Sequence, residues 1–184
     1  VVYNDFFIGD DADVDIVAGC GIHNDGIHLS QHDGVHTFHV GKNAKVRYVE
    51  KHYGEGSGTG ERILNPVTQI FLEEGAYLRL IRHKIGGVDS TVRKTEVSME
   101  ADAKLFVMEK LMTHDNQTAV SDMTVEMNGA GSSARSCPVP WRRAIPFRPS
   151  TRLPSAMRCA MRMYSVIPLS WIKRRFPPYR KSTP

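Results

Sequence analysis

The sequence predicts an all-β fold, an array of stacked strands read as a parallel β-helix, and three observations carry that expectation. A ten-residue pattern recurs as Ile8-Gly-Asp-Asp-Ala-Asp-Val-Asp-Ile-Val, Val40-Gly-Lys-Asn-Ala-Lys-Val-Arg-Tyr-Val, Leu72-Glu-Glu-Gly-Ala-Tyr-Leu-Arg-Leu-Ile and Met99-Glu-Ala-Asp-Ala-Lys-Leu-Phe-Val-Met. Its central alanines fall at 12, 44, 76 and 103, so the repeat length is 32, 32 and then 27 residues. Within each copy apolar and polar side chains alternate at period two, as a half-buried strand requires, and no sustained period of 3.6 speaks for helices. Units recurring at such spacings stack on one another to share a core.

Each element follows from the same pattern. A copy opens on an apolar residue, turns through three residues rich in Gly, Asp or Asn, places a small Ala, and runs on as an alternating strand. Between copies lie further strand-like runs at Thr37–Val40, Val67–Leu72 and Thr91–Met99, while Gly54–Gly60 and Gly86–Gly87 read as loops. The pattern by itself leaves a β-solenoid or a β-sandwich. The recurrent Ala favours the β-helix, because at a corner of such a coil only a small side chain fits inside.

Composition divides the chain in two. Its 184 residues are 41% apolar and 24% charged, enough for one domain with a core. The formal charge of +4 hides an acidic piece, residues 1–136, with all 20 Asp and Glu, all 15 Gly and a net charge of −7. Residues 137–184 carry 11 Lys and Arg, no acid, and 9 of the 10 Pro, so an irregular Pro/Arg-rich tail is expected there. No apolar run approaches the roughly 18 to 20 residues of a membrane span. The lack of a leader before Val1, and three cysteines (Cys20, Cys137 and Cys159) too few for a disulfide framework, predict a cytoplasmic protein.

The densest chemistry lies between residues 20 and 39. One thiol, Cys20, and five imidazoles, His23, His28, His32, His36 and His39, fall within 20 residues. Thiolate and imidazole together suit Fe, Zn or Cu, and the mixture is compatible with a labile iron–sulfur cluster, although the spacing fits no zinc-finger or ferredoxin template. Cys20, His23, His28, His32 and His36 are the candidate metal ligands, and Cys20, His23, His32 and His36 the candidate cluster contacts. In a period-two strand His32, Gly34 and His36 share a face and His39 points the other way. The Gly-rich run 54–60 lacks the Lys-Ser/Thr that a phosphate-binding loop uses. The basic tail, interleaved with Trp141, Phe147, Tyr164, Trp171, Phe176 and Tyr179, has the composition of a nucleic-acid arm.

The repeats resemble the SufB/SufD family, together with Val2-Tyr-Asn-Asp-Phe, Gly19-Cys-Gly-Ile-His, Ser30-Gln-His-Asp-Gly-Val-His-Thr-Phe-His-Val-Gly-Lys-Asn-Ala, Glu61-Arg-Ile-Leu-Asn-Pro-Val-Thr and Glu109-Lys-Leu-Met-Thr-His. The likeness covers residues 1–136 and looks closest to short SufB-like members. It implies a right-handed parallel β-helix that serves, without enzymatic activity of its own, as scaffold for iron–sulfur cluster assembly. The implied partners are a SufC-type ATPase and a SufB/SufD-type sister subunit or a second copy, with no membrane and no nucleic acid. The family would continue after Arg135 with a strand resembling VSRSVA. Displacing the reading frame by one base respells Cys137-Pro-Val-Pro-Trp-Arg as that string, and Met157–Val166 as N-A-M-C-H-A-H-V-Q-C. The tail therefore reads as an out-of-frame continuation. The family's Q-C-D cysteine falls at Ser165–Val166, so no residue here takes its role, and Cys137 and Cys159 do not inherit it. The alternatives are a mononuclear metal-binding β protein built on Cys20 and the histidines, and nucleic-acid binding through the tail.

Overall fold

A computed structural model describes residues 1–111, 117–140 and 163–164. These form the strands β1 (Val2–Ile8), β2 (Asp13–His23), β3 (Ser30–His32), β4 (Gly34–Val40), β5 (Lys45–Glu55), β6 (Arg62–Leu64), β7 (Val67–Leu72), β8 (Tyr77–Gly86), β9 (Ser90–Met99), β10 (Lys104–Leu111), β11 (Thr118–Met127), β12 (Ser133–Pro140) and β13 (Met163–Tyr164). One sheet has the order β1-β4-β7-β9-β11-β13, with β3 and β6 beside it, and the other the order β12-β10-β8-β5-β2. The ladders are parallel except for β11 with β13, which is antiparallel. The chain passes to the second sheet once per turn, at β2, β5, β8, β10 and β12, and so winds as a parallel β-helix of about 4 turns. Among the described residues no helix is long and apolar enough to cross a membrane.

The repeating alanines mark the corners. Ala44, Ala76 and Ala103 are all 0% exposed, and Ala12 packs against the same core from the end turn. The residue before each one has positive φ: Asp11 57°, Asn43 55°, Gly75 69° and Asp102 57°. Ala44, Ala76 and Ala103 each donate their N–H to the carbonyl three residues back, closing a tight turn whose third residue favours Gly, Asn or Asp. A fifth corner follows at Asn128-Gly-Ala-Gly-Ser132, where Gly131 has φ 75°. It carries Ser in place of the fifth Ala, which hid it from an alanine-based repeat.

The registers give the repeat lengths directly. Lys45 lies beside Asp13 and Tyr77 beside Lys45, both steps of 32 residues, whereas Lys104 lies beside Tyr77, a step of 27. The shorter turn is the one in which β8 passes to β9 through Gly87–Asp89, without the extra short strand that β3 and β6 supply in the two turns before it. The run Gly54–Gly60 is tied down: Gly54 belongs to β5, and the Arg62 guanidinium donates to the carbonyls of Glu55, Gly56 and Gly58.

β12 runs across the composition change at residue 136, pairing Ser133 with Lys104 through to Pro140 with Leu111. Ser133 donates its N–H to Ala103 O, so the even-numbered positions of β12 turn their backbone away from β10. Pro138 and Pro140 therefore cost the ladder no donor, consistent with an edge strand. Apart from β13, the rest of the basic tail, including Cys159 and the position Ser165–Val166, lies outside the described residues, as does Met112-Thr-His of one resembling segment.

Candidate functional site

The lumen has an apolar end and a polar middle. Near the corners Phe38, Val40, Val46, Ile70, Leu72, Leu78, Leu80, Val97 and Met99 fill it. At the far end Ile22, Leu64 and Val88 make a second, small apolar cluster. Between them the inward positions are polar. In one sheet Ala18, Glu50, Arg82 and Glu109 form a column, with Cys20 beside His52 in the next. Facing them, His36, Thr68 and Thr95 form a column, next to Arg93 beside Ser121. Period-two alternation forces all of these side chains inward, and burial of charge then demands partners.

Most partners are present. Arg82, 0% exposed, donates from Nη1 to Thr95 Oγ1 at 2.8 Å and to Glu109 Oε1 at 3.0 Å. Arg93 donates from Nη1 to Glu109 Oε1 at 3.2 Å, and Ser121 Oγ donates to Glu109 Oε2 at 2.9 Å. Arg93 Nη2 lies 2.7 Å from His52 Nδ1; an arginine can only donate, so His52 carries its proton on Nε2. That Nε2 stands 3.3 Å from Glu50 Oε1. Burial opposes ionisation of Glu50, yet His52, Arg82 and Arg93 hold its pKa well below the carboxylate range. Burial likewise opposes ionisation of Glu109, and Arg93 and Arg82 keep it charged. Burial keeps His52 neutral against the pull of Glu50. Two carboxylates thus balance two guanidiniums around neutral imidazoles.

Cys20 joins this network through His36. Tyr48 donates its single hydroxyl proton to Glu50 Oε1 at 3.3 Å, so its oxygen accepts from His36 Nδ1 at 2.8 Å. His36 therefore turns an unprotonated Nε2 toward Cys20 Sγ, 3.9 Å away. Burial lowers the pKa of His36, with Arg82 and His32 adding to the effect against Glu50. Burial, seconded by Glu50, pushes the Cys20 thiol up to about 11. Cys20, His36 and Glu50 each offer a ligand atom, all within 4.8 Å of one another. A thiol, an imidazole and a carboxylate at that separation could hold a metal ion.

The five candidate ligands from the sequence separate. Cys20 and His36 meet in the lumen. His32 is half-buried and close by: a Cβ on Gly34 would lie 3.1 Å from His36 Nε2 and 3.7 Å from His32 Nε2. His23 stands an odd number of residues from Cys20 on β2, so it faces solvent, where its Nε2 lies 2.6 Å from Asp25 Oδ2. His28 is exposed on the following loop. His39 points outward as expected, stacked between Phe7 and Phe71 with centroids 4.7 and 5.1 Å away. Cys137 is half-buried on β12, beside Met108 and away from the site. Sequence reasoning missed Glu50 and its neighbours Tyr48, His52, Arg82, Arg93 and Glu109. The signal was available in Val46, Tyr48, Glu50 and His52, one inward face turning polar, and in the 32-residue step from Cys20 to His52. No family model, curated protein or solved structure matches the chain.

Proposed function

We propose that this chain is a scaffold of SufB/SufD type, holding a nascent iron–sulfur cluster and handing it on, with a separate SufC-type ATPase supplying the energy. The single observation that carries the reading is the lumenal group of Cys20, His36 and Glu50, of which Cys20 and His36 lie on segments that carry the family resemblance. A parallel β-helix is the fold that resemblance implies. Thiolate, imidazole and carboxylate are donors a labile cluster can use and release. The cluster is cargo on this reading, and the chain contributes ligands and exclusion of water, with no bond-breaking chemistry of its own.

The test is anaerobic reconstitution of the full chain with ferrous iron and sulfide, followed by desalting. Iron and acid-labile sulfide retained in equal amounts, with sulfur-to-iron charge-transfer absorption, is the expected result. Iron retained without sulfide, or neither, overturns the reading.

A further inference from the structure

We propose that Cys20 Sγ, His36 Nε2 and a carboxylate oxygen of Glu50 bind one divalent transition-metal ion of the Zn²⁺ or Fe²⁺ class inside the β-helix. The site needs no sulfide, so it stands or falls separately from the scaffold reading.

Four features of the lumen point to it. One donor atom from each of the three residues lies within 4.8 Å of the other two, and Cys20 Sγ to His36 Nε2 is 3.9 Å. Around a tetrahedral ion with bonds of about 2.0–2.3 Å, such atoms stand roughly 3.3–3.7 Å apart, so side-chain shifts of about 1 Å close the site. The imidazole is already oriented, since the hydrogen bond from Nδ1 to Tyr48 fixes the tautomer that leaves Nε2 free to ligate. Glu50 is 1% exposed, and its Oε2 has no hydrogen-bond partner among the described residues. Arg82 Nε, 3.7 Å from that oxygen, is beyond hydrogen-bond reach, and a buried oxygen left without a hydrogen bond calls for a partner. Finally, sulfur, nitrogen and oxygen donors in one site select Zn²⁺ or Fe²⁺ over the harder Mg²⁺ and Ca²⁺, which want oxygen alone.

Arg82 and Arg93 are matched by Glu50 and Glu109, so the lumen is charge-balanced before the ion enters, and binding expels the Cys20 proton to solvent, which cancels one of the ion's two charges. One S–H bond breaks, one metal–sulfur bond forms, and one proton is released per ion. Cys20 is half-buried, the most exposed of the three ligand residues. His32, on the same side of Gly34 as His36, is the further donor available to an open fourth position.

The experiment titrates Co²⁺ into metal-free full chain carrying Cys137→Ser and Cys159→Ser, without sulfide, and then displaces it with Zn²⁺. One equivalent of Co²⁺ should bind with thiolate-to-cobalt absorption in the near ultraviolet. That absorption should vanish in Cys20→Ser, and affinity should fall at least about tenfold in Glu50→Gln. Tyr48→Phe keeps all three ligands, so it should retain the absorption while binding about ten- to a hundredfold more weakly. A measurement free of ligand variants stands beside these: one equivalent of Zn²⁺ should shield Cys20 from alkylation. Absorption that persists in Cys20→Ser, or alkylation of Cys20 unchanged by Zn²⁺, overturns the proposal.

Discussion

Replacing Arg82 by Met tests whether the polar lumen is a balanced charge network. Arg82 is fully buried, and it donates to Thr95 and Glu109 at 2.8 and 3.0 Å, with its Nε 3.7 Å from Glu50 Oε2. Met preserves the stem and removes the charge, so two buried carboxylates are left to share Arg93. Breaking a buried pair on one side costs about 3–5 kcal/mol. With a urea m-value of about 2 kcal/mol/M, the midpoint should fall by roughly 1.5–2.5 M. Adding Glu109→Gln removes the matching charge, and the double variant should recover about 2 kcal/mol of that loss. Urea unfolding of the full chain followed by far-ultraviolet circular dichroism reads both numbers. A single-variant loss below about 1 kcal/mol, or a double-variant loss equal to the sum of the two singles, would refute the network.

Three further outcomes follow from the same geometry. Stability should decline on acidification below about pH 6.5, because burial sets His36 and His52 below that unfolded value and the unfolded chain takes up their protons first. Glu50 and Glu109, held below 4.5, extend the decline at lower pH, while His23, raised by Asp25, contributes with opposite sign. A urea midpoint unchanged between pH 7.5 and 4 contradicts this. Gly75→Ala should cost about 1–3 kcal/mol, since φ is 69° and the new Cβ would meet Asn43 Oδ1; a neutral effect on the midpoint would count against the stacked-corner geometry. Alkylation of Cys20 in a chain lacking the other two thiols should accelerate with an inflection near pH 11, and an inflection at the ordinary value of 9.0 would mean that the thiol is not enclosed.

The β-helix was legible because its corners obey strict local chemistry. A left-handed residue and a small inward side chain recur wherever the coil bends, and Ala at 12, 44, 76 and 103 reports this without any long-range information. The fifth corner escaped because Ser132 takes the small position there. The site was half legible. Cys20 and His36 belong to the dense run of ligand-type residues, but proximity along the chain brought in His23 and His28, which strand parity and the loop turn outward. Glu50 escaped because its nearness to Cys20 comes from stacking one turn on the next, a relation carried by the 32-residue register and not by a motif. Its partners Arg82 and Arg93 come from still later turns, and in a strand an arginine at an inward position looks like any solvated charge until the register is known.

X-ray absorption at the zinc edge of the Zn²⁺-loaded full chain tests the lumenal site most directly. The expected shell has one sulfur at about 2.3 Å and nitrogen or oxygen donors at about 2.0–2.2 Å, with the sulfur lost in Cys20→Ser. A shell of nitrogen and oxygen alone in the unsubstituted chain would place the ion on the exposed histidines and contradict a metal centre at Cys20, His36 and Glu50.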